Sequence, residues 1–322
     1  MSPENPNGTG HGPPLRLLRG RAPRGAAPCV LTIGTFDGLH VGHCALIARA
    51  RERAAALGVP AGLLSFEPMP REVLQPESAP ARLTSFRERW RLLQHSGLQR
   101  FHLLTFNANL RAMSATAFME VLRTLGVRAL IVGHDFRFGH RAEADAQWCA
   151  REASRFGFEV EILAPVVLAG VRVSSGLVRG ALAAGDLPRA AELLGRRYSM
   201  RARVRHGERL GRTLGFPTAN LGLHRRRTPL AGIFAVRARS SALGGADWPG
   251  VASLGTRPTV EGTERLLEVH LFDFSGELYG AELEVEFVAR LRDEERFESL
   301  EAMVAQMHRD AAAARAALAP LV

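Results

Sequence analysis

The sequence predicts an α/β protein in two parts, a parallel sheet covered by helices and then a small antiparallel β-barrel with a terminal helix. From about residue 27, short apolar runs alternate with helical stretches, and after about residue 185 short strands with glycine-rich connections follow instead. Alternation of strands and helices is typical of parallel sheets. A series of short strands and turns is typical of small barrels.

In the first part, apolar runs bounded by turn residues mark the strands. The candidate strands are Cys29–Phe36, Ala61–Phe66, Phe101–Phe106, Ala129–Asp135 and Glu159–Val167. The candidate helices between them are Val41–Leu57, Ser85–Ser96, Ala115–Leu125 and Ala144–Phe156. Ligands of such sheets bind at the C-terminal ends of the strands, so we expect a site there.

The second part begins near the turn segment Gly185–Pro188, which is followed by a short helix, Arg189–Leu194. Its candidate strands and final helix are Ser199–His206, Ile233–Ala238, Gly250–Leu254, Leu266–Asp273, Leu283–Ala289 and Ser299–Leu318. The organisation we expect is therefore a flexible tail over residues 1–14, a first domain over 15–185 and a second over 186–322.

Composition limits the chemistry. The 322 residues carry a formal charge of +10, and all 42 basic residues are arginine. A lysine Schiff base and a Walker-A lysine are thereby excluded. Phosphate binding must rely on arginine, backbone N–H groups, helix N-termini and metal ions. The three cysteines are widely spaced, as in proteins of a reducing compartment. We find no apolar run long enough for a membrane helix and no secretion signal, and we therefore expect a cytoplasmic protein.

The segment LTIGTFDGLHVGH, residues 31–43, joins a strand to a helix, and we call its candidate residues the first constellation. His40 and His43 stand three apart across the helix N-terminus and can face the same space. Gly42 removes a side chain where a phosphate needs close approach. The segment as a whole, which includes Gly34, Phe36 and Asp37, can bind a triphosphate and stabilise charge on its α-phosphorus. Helix capping or zinc ligation by the two histidines is the alternative.

Two more segments lie beyond predicted strands. IVGHDFRFG places Gly133, Asp135 and Arg137 in a turn at a strand end. In SSGLVR, the serines Ser174 and Ser175 resemble a helix N-cap with Arg179 in the first turns. A phosphate accepts hydrogen bonds from such a cluster, although taken alone an ordinary capped helix with a surface arginine explains the segment better.

A second constellation, HGERLGRTLGFPTANL, covers residues 206–221. Gly211, Arg212 and Gly215 form a flexible loop whose backbone N–H groups can hold phosphates. In an extended segment Thr218 and Asn220 face the same side and can offer two oxygen ligands to one Mg²⁺. A hairpin loop with an Asn turn is the alternative.

Glu268 lies in the alternating segment LLEVHLFDF, with His270 on the same side of the strand. A carboxylate at this place can take a proton from a substrate hydroxyl. The alternative is an exposed strand residue, which is the commoner fate of glutamate.

These segments together resemble the bifunctional bacterial riboflavin kinase/FAD synthetase family from about Leu15 to Arg315. The resemblance rests on GTFDGLHVGH, VGHDFRFG, SSGLVRGAL, GRTLGFPTANL, GTRPTV, LEVHLFDF and FESLEAMVAQMHRD, in that order. It implies a Rossmann-like nucleotidyltransferase domain that transfers AMP from ATP to FMN, giving FAD and pyrophosphate. It also implies a barrel domain that phosphorylates riboflavin to FMN.

The resemblance also implies roles for individual residues. Glu268 would be the kinase base, and His40 and His43 would stabilise the adenylyl transition state. Thr218 and Asn220 would bind Mg²⁺ and ATP phosphates. Nucleotide, flavin or phosphate binding would fall to the remaining motif residues, which are Gly34, Phe36, Asp37, Gly42, Gly133, Asp135, Arg137, Ser174, Ser175, Arg179, Gly211, Arg212 and Gly215.

Two other functions fit parts of the sequence. A nucleic-acid-binding protein is compatible with the charge, the barrel and the run Arg225–Arg227, although the basic residues are spread along the chain and aromatic residues make up only 7%. A different adenylyltransferase, with the barrel as a binding module, is the other. We expect small-molecule substrates, no membrane or nucleic-acid partner, and a monomer or weak homo-oligomer.

Overall fold

The computed structural model describes residues 14–20, 26–207, 211, 214–223, 225–259 and 262–319. The chain divides into two compact units, one of residues 1–80 and 89–173 and the other of residues 81–88 and 174–322. The tail expected over residues 1–14 lies outside the described residues except for Pro14. The division between Val173 and Ser174 comes earlier in the chain than the boundary expected after residue 185.

The first unit alternates strands and helices. Its elements are β1 (Arg16–Arg19), β2 (Cys29–Ile33), α1 (Val41–Leu57), β3 (Ala61–Glu67), α2 (Pro70–Leu74), α3 (Phe86–Gln94), β4 (Arg100–Thr105), α4 (Ala108–Arg111), α5 (Ala115–Thr124), β5 (Val127–Gly133), β6 (Arg137–Phe138), β7 (Ala144–Asp145), α6 (Ala146–Glu152), β8 (Glu159–Leu163), β9 (Val167–Leu168) and β10 (Val171–Arg172). The first three residues of α3 belong to the segment 81–88 of the second unit.

A parallel sheet forms the centre of this unit. Among the described residues six strands pair in the order β1-β4-β3-β2-β5-β8. In this order β3 and β4 lie on one side of β2, whereas β5 and β8 lie on its other side. The strand order therefore reverses at β2. A reversal of this kind opens a crevice at the C-terminal ends of the strands, where ligands of such sheets bind.

The core of the sheet is aliphatic, as the continuous apolar strands predict. Leu31 and Ile33 of β2 and Leu130 and Val132 of β5 pack against α5 and α6, with Phe118 buried among them. The predicted fold class is confirmed. β1 was not predicted, because its four residues, RLLR, are half charged and lie at the edge of the sheet.

The second unit is mainly a barrel. Its elements are α7 (Ser175–Ala183), α8 (Leu187–Leu194), β11 (Ser199–Arg205), β12 (Ala219–Gly222), β13 (Gly232–Arg239), β14 (Trp248–Thr259), β15 (Gly262–Leu271), β16 (Glu282–Arg292) and α9 (Leu300–Leu318). The strands close in the order β11-β12-β15-β14-β13-β16, with every pairing antiparallel. This confirms the predicted barrel with a terminal helix.

Aromatic packing fills the barrel, and ion pairs fasten α9 to it. Phe234 and Phe287 are both at most 1% exposed and meet edge to face, with ring centroids 5.1 Å apart. Arg292, at the end of β16, donates to both carboxylate oxygens of Asp310 on α9 at 2.7–3.1 Å. A two-point bond of this kind fixes orientation as well as distance.

One arginine of the run 225–227 is buried in this unit. The Arg225 guanidinium donates to the Glu88 carboxylate and, at 3.2 Å, to the Tyr198 hydroxyl. Only 4% of the Arg225 side chain is exposed, so this residue of the run does not belong to a solvated charge cluster. The pairing could not be predicted from local patterns, because Glu88 lies 137 positions away from Arg225.

His102 provides a test of the core of the first unit. It lies on β4 with 2% exposure, and burial, aided by Arg100, lowers its pKa from 6.5 to about 4. The unfolded ring takes up a proton below pH 6.5 while the folded ring stays neutral, so acidification from pH 6.5 to 4 costs the fold up to about 3 kcal/mol.

We therefore expect His102→Leu to lose less stability than the unsubstituted protein over that pH interval. The measurement is urea unfolding followed by circular dichroism at several pH values. Equal losses in the two proteins would contradict a buried neutral histidine at this position.

Candidate functional site

The loop between β2 and α1 places two imidazole rings at a helix N-terminus. His40 is the N-cap of α1, and its Nδ1 accepts a hydrogen bond from the His43 backbone N–H at 3.3 Å. The two rings stack with centroids 3.6 Å apart and 15° between their planes. The predicted shared orientation is confirmed, and the capping alternative also applies, because His40 caps the helix while facing His43.

This cap favours one tautomer of His40, with the same His43 N–H also donating to the His40 carbonyl oxygen at 2.8 Å. An Nδ1 atom that accepts a backbone N–H cannot itself carry the proton of a neutral ring, so that proton lies on Nε2. The arrangement therefore presents an N–H donor beside the first turn of α1, where backbone amides and the helix dipole already favour an anion.

Gly42 has a role that the sequence did not reveal. A Cβ atom at this position would lie 3.2 Å from both Nδ1 and Cε1 of His40. Glycine thus leaves room for the His40 ring itself to fold over the helix terminus. The expected close approach of a phosphate at Gly42 stays a prediction.

His43 is held in its neutral form. Burial is the main cause that lowers its pKa well below 6.5, and the neighbouring His40 and Arg89 lower the pKa further. Its Nδ1 is buried, and no described residue makes a hydrogen bond to it. A polar ligand at this helix terminus would satisfy such an atom.

The preceding turn is strained. Phe36 and Leu39 adopt positive φ angles of 50° and 42°, although neither is glycine. Such backbone persists only where surrounding contacts enforce it. Phe36 is fully buried and its ring lies 4.9 Å from that of His43, while Asp37 is buried beside it. A Cβ atom at Gly34 would come 3.2 Å from the Phe36 ring, so Gly34 also belongs to this packing.

At the end of β5 the turn residues contact one another. Asp135 forms an ion pair with Arg172 of β10, and its Oδ1 lies 3.1 Å from where a Cβ atom of Gly133 would be. Arg137 donates to the Ala142 carbonyl oxygen at 3.0 Å. Ligand binding by these three residues stays a prediction.

Ser174, Ser175 and Arg179 belong to the second unit. Ser174 is the predicted N-cap of α7, and its hydroxyl accepts from the Leu177 N–H at 3.2 Å. Arg179 donates to the Ala81 carbonyl oxygen at 2.6 Å. The capping prediction is confirmed, and phosphate binding by the three residues stays a prediction.

In the barrel, three strands align polar side chains in one row. Asn220 of β12 stands opposite Glu268 of β15, which in turn stands opposite Ser253 of β14. Val269, next to Glu268, is buried on the other side of the strand, as the sequence alternation predicts. Glu268 is half-buried rather than exposed.

The Pro-Thr-Ala-Asn bend is held from two sides. The Nδ1–H of His270 donates to the Pro217 carbonyl oxygen at 2.9 Å. A Cβ atom at Gly207 would lie 2.5 Å from the Asn220 amide nitrogen. A Cβ atom at Gly211 would lie 2.3 Å from the Phe216 carbonyl oxygen, so both loop glycines press against the bend. Gly215 has φ of 81°, which glycine alone adopts readily. Arg212 lies outside the described residues.

Two cavities meet at Thr218. The first, here called the Tyr279 cavity, measures about 300 Å³ and is lined by Pro217, Thr218, Ala219, Leu271, Phe274 and Tyr279, among others. The second, the Glu268 cavity, measures about 310 Å³ and is lined by Thr218, Ser253, Glu268, Phe216, Met303 and Met307, among others. Both have the size and the mixed apolar and polar lining of small-molecule sites.

The donor set beside Thr218 fits a hard divalent cation. Thr218 offers a hydroxyl oxygen, and the Asn220 amide nitrogen donates to the Thr218 carbonyl, which leaves the amide oxygen for a cation. Neutral oxygen ligands of this kind, completed by phosphate oxygens and water, are typical of Mg²⁺. In the described parts of the chain, no cluster of three or more His, Cys, Asp or Glu residues is placed to bind a metal.

Comparison with known proteins identifies the family of each part of the chain. Residues 23–177 match the FAD synthetase family model and residues 194–318 match the riboflavin kinase family model. The bifunctional riboflavin kinase/FMN adenylyltransferase of Pseudomonas fluorescens is 48% identical over 295 residues, which cover 91% of this chain and 94% of that protein. The chain belongs to the bifunctional riboflavin kinase/FMN adenylyltransferase family.

Other members and one crystal structure extend the comparison. The Escherichia coli K12 member is 41% identical over 306 residues, covering 94% of this chain and 97% of the relative. A crystal structure described as a macrolide-efflux protein from Streptococcus pneumoniae aligns with a TM-score of 0.79 and 29% identity, over 91% of this chain and 97% of that one. Among the helices described here, none has the length and apolar character that crossing a bilayer requires.

The family assignment confirms the sequence-based prediction of an enzyme with two flavin-nucleotide activities, in the order FAD synthetase part and then riboflavin kinase part. One residue beside the first site, Arg89, was not predicted from the sequence. Arg89 is fully buried and lies close enough to influence His43. A basic residue between the apolar positions of α3 could have indicated it, but the same pattern describes any amphipathic helix.

The fit between Gly42 and His40 gives a testable consequence. We expect Gly42→Ala to displace the His40 ring by a few tenths of an ångström and to lower FAD formation from FMN and ATP by about tenfold. Stability should not fall, since alanine is the better helix former.

The matched control is Gly180→Ala on α7, where a Cβ atom meets nothing within 4 Å. Steady-state rates and thermal unfolding of both variants provide the measurement. A Gly42→Ala protein with an unchanged rate would show that the close contact has no catalytic role.

Proposed function

We propose that the two activities of the family occupy the two constellations described above, with His40 and His43 serving adenylyl transfer and Glu268 serving phosphorylation. The observation that carries the proposal is the separation of the two groups into different compact units. Each group has its own chemistry, with charge-stabilising donors in one and a carboxylate that lines a cavity of small-molecule size in the other.

In adenylyl transfer, a phosphate oxygen of FMN attacks the α-phosphorus of ATP, and the bond from that phosphorus to the pyrophosphate oxygen breaks. The N-terminus of α1 and the Nε2–H of His40 stabilise the additional negative charge. His43 stays neutral, so it can donate or accept a hydrogen bond without taking a full charge into the buried site. Gly34, Phe36, Asp37 and Gly42 shape this loop.

Gly133, Asp135 and Arg137, at the end of β5, complete the proposed nucleotide and flavin site of the first unit. For Ser174, Ser175 and Arg179, which belong to the second unit, we propose phosphate binding, as the family resemblance implies. Their chemistry suits anions, because it combines guanidinium groups, hydroxyls and a helix N-terminus.

In phosphorylation, the terminal hydroxyl of riboflavin attacks the γ-phosphorus of ATP, the bond to ADP breaks and Glu268 accepts the hydroxyl proton. Glu268 lines only one of the two cavities, so we place the flavin there and the adenine nucleotide in the Tyr279 cavity. Thr218 lines both cavities, and we propose that Gly211 and Gly215 hold phosphates, a role that the family resemblance also implies for Arg212, which lies outside the described residues.

Thr218 and Asn220 would hold Mg²⁺ at this junction. When bound, the ion neutralises charge on the transferring phosphates. The chain supplies no activated cysteine, serine or lysine nucleophile in either constellation, so we propose direct in-line displacement without a covalent enzyme intermediate.

The proposed partners are the small molecules ATP, riboflavin and FMN, with FAD as a product. We propose no nucleic-acid partner, a cytoplasmic location and a monomer or weak homo-oligomer. Support comes from the pairing of arginines with carboxylates, as in Arg225 with Glu88, Arg292 with Asp310 and Arg315 with Asp273. Guanidinium groups engaged in this way are less available to a phosphate backbone.

Substitution in the first constellation should separate the two reactions. We expect His40→Ala and His43→Ala to lower FAD formation by about 10²–10³, the usual cost of one oriented donor, while riboflavin is still converted to FMN. The assay incubates each protein with riboflavin, ATP and Mg²⁺ and separates the flavins by chromatography. Loss of both reactions in a folded variant would show that the sites are not separate.

Substitution in the barrel should give the reverse pattern. We expect Glu268→Ala and Asn220→Ala to abolish most FMN formation, because one loses the base and the other a metal ligand. FAD formation should persist when FMN is supplied. The milder Glu268→Gln keeps the shape of the side chain, so normal kinase activity in this variant would rule out Glu268 as the base.

A further inference from the structure

Arg89 is a cation buried behind the first constellation. It lies on α3, is 0% exposed and stacks its guanidinium 5.9 Å from the Phe101 ring centre. A buried charge is costly unless its hydrogen bonds and its ion pair are well formed. The contacts of Arg89 must therefore offset the free-energy cost of its burial, and its charge lies close enough to His43 to influence the pKa of that ring.

The anchors of Arg89 are well defined. One terminal nitrogen donates to the Thr35 carbonyl oxygen at 2.6 Å, and the other forms an ion pair with Glu67 at 3.0 Å. Glu67 ends β3, and Thr35 lies in the loop after β2. The guanidinium thus ties together the C-terminal ends of two adjacent strands at the edge where the site lies.

Thr35 links this anchor to the imidazole pair. It immediately precedes Phe36, whose backbone is held at a positive φ of 50° and whose ring packs on His43. His43 in turn stacks on His40. Strained backbone needs contacts that enforce it, and the hydrogen bond to the Thr35 carbonyl is one placed at the start of the turn.

We propose that Arg89 is a positioning residue for adenylyl transfer, which acts through Thr35 and Phe36 to hold the His43 ring against His40. This inference rests on the function proposed above for the histidine pair. The nearby positive charge also supports the role, because it helps to lower the pKa of His43 and so keeps the ring neutral.

The test compares Arg89→Met, which removes both anchors, with Arg89→Lys, which keeps the charge and one donor. We expect Arg89→Met to lower kcat for FAD formation about 10- to 100-fold, the loss typical when a residue that orients a functional group from behind is removed. Arg89→Lys should recover at least a third of the loss seen in Arg89→Met, when the loss in kcat is expressed on a logarithmic scale. Arg87→Met, on the same helix with a side chain 78% exposed, is the matched control and should have no effect.

A double-mutant cycle with His43→Ala distinguishes positioning from general support of the fold. If Arg89 acts through His43, adding Arg89→Met to His43→Ala should cost less than about threefold further. A further loss as large as in the unsubstituted background would overturn the proposal, as would a normal rate for Arg89→Met. Should Arg89→Met fail to fold by circular dichroism, the same cycle with Arg89→Lys decides the question in the same way.

The control reaction is riboflavin phosphorylation by the same samples, which standardises the amount of active protein. If the unsubstituted protein makes no FAD, or if His43→Ala forms FAD at the normal rate, the proposed function itself fails. If those results are as expected and Arg89 variants are normal, the failure belongs to the Arg89 proposal alone.

Discussion

The hydrogen bond from the His43 backbone to His40 Nδ1 is the contact on which the first site depends. It caps α1, favours the His40 tautomer with its proton on Nε2 and brings the two rings into a stack. Gly42 permits it, because any side chain there would crowd the His40 ring. One backbone donor, one imidazole and one missing Cβ atom thus shape the site that we propose for a developing negative charge in a chain without lysine.

In the barrel, strand pairing rather than a helix cap holds the polar residues of the candidate site. Antiparallel pairing places Asn220, Glu268 and Ser253 side by side although they are far apart in sequence. The loop glycines leave the backbone close to Asn220 and Phe216, and His270 holds the bend at Pro217. The proposed base Glu268 and the candidate metal ligand Asn220 are therefore placed by strand register, which is more rigid than a loop alone.

Local patterns were sufficient for much of this architecture. The bounds of α1, Val41–Leu57, agree with those predicted, because a histidine cap, an apolar face and a terminal glycine all act within the helix. The alternation around Glu268 likewise predicted that Glu268 and His270 share one side of the strand, and both line the Glu268 cavity. β1 and the short strand β12 were not identified as strands, since four-residue segments carry little periodic signal.

The features that were missed depend on contacts distant in sequence. Arg89 looks like any polar residue of an amphipathic helix until Thr35 and Glu67 are seen beside it. Arg225 looks like part of an exposed cluster until Glu88 is found against it. The reason for Gly42 was also hidden, because its neighbour His40 could have pointed elsewhere. Sequence identifies which residues are unusual, whereas tertiary packing determines what they touch.

The tautomer of His40 tests the central interaction most directly. Nitrogen-15 NMR of the histidine-labelled protein, assigned with His40→Asn, distinguishes a proton on Nε2 from one on Nδ1. The hydrogen bond described here predicts that the neutral His40 ring carries its proton on Nε2, with Nδ1 in the chemical-shift range of an acceptor. A neutral ring protonated on Nδ1 would contradict the cap and, with it, the account of how this site is held.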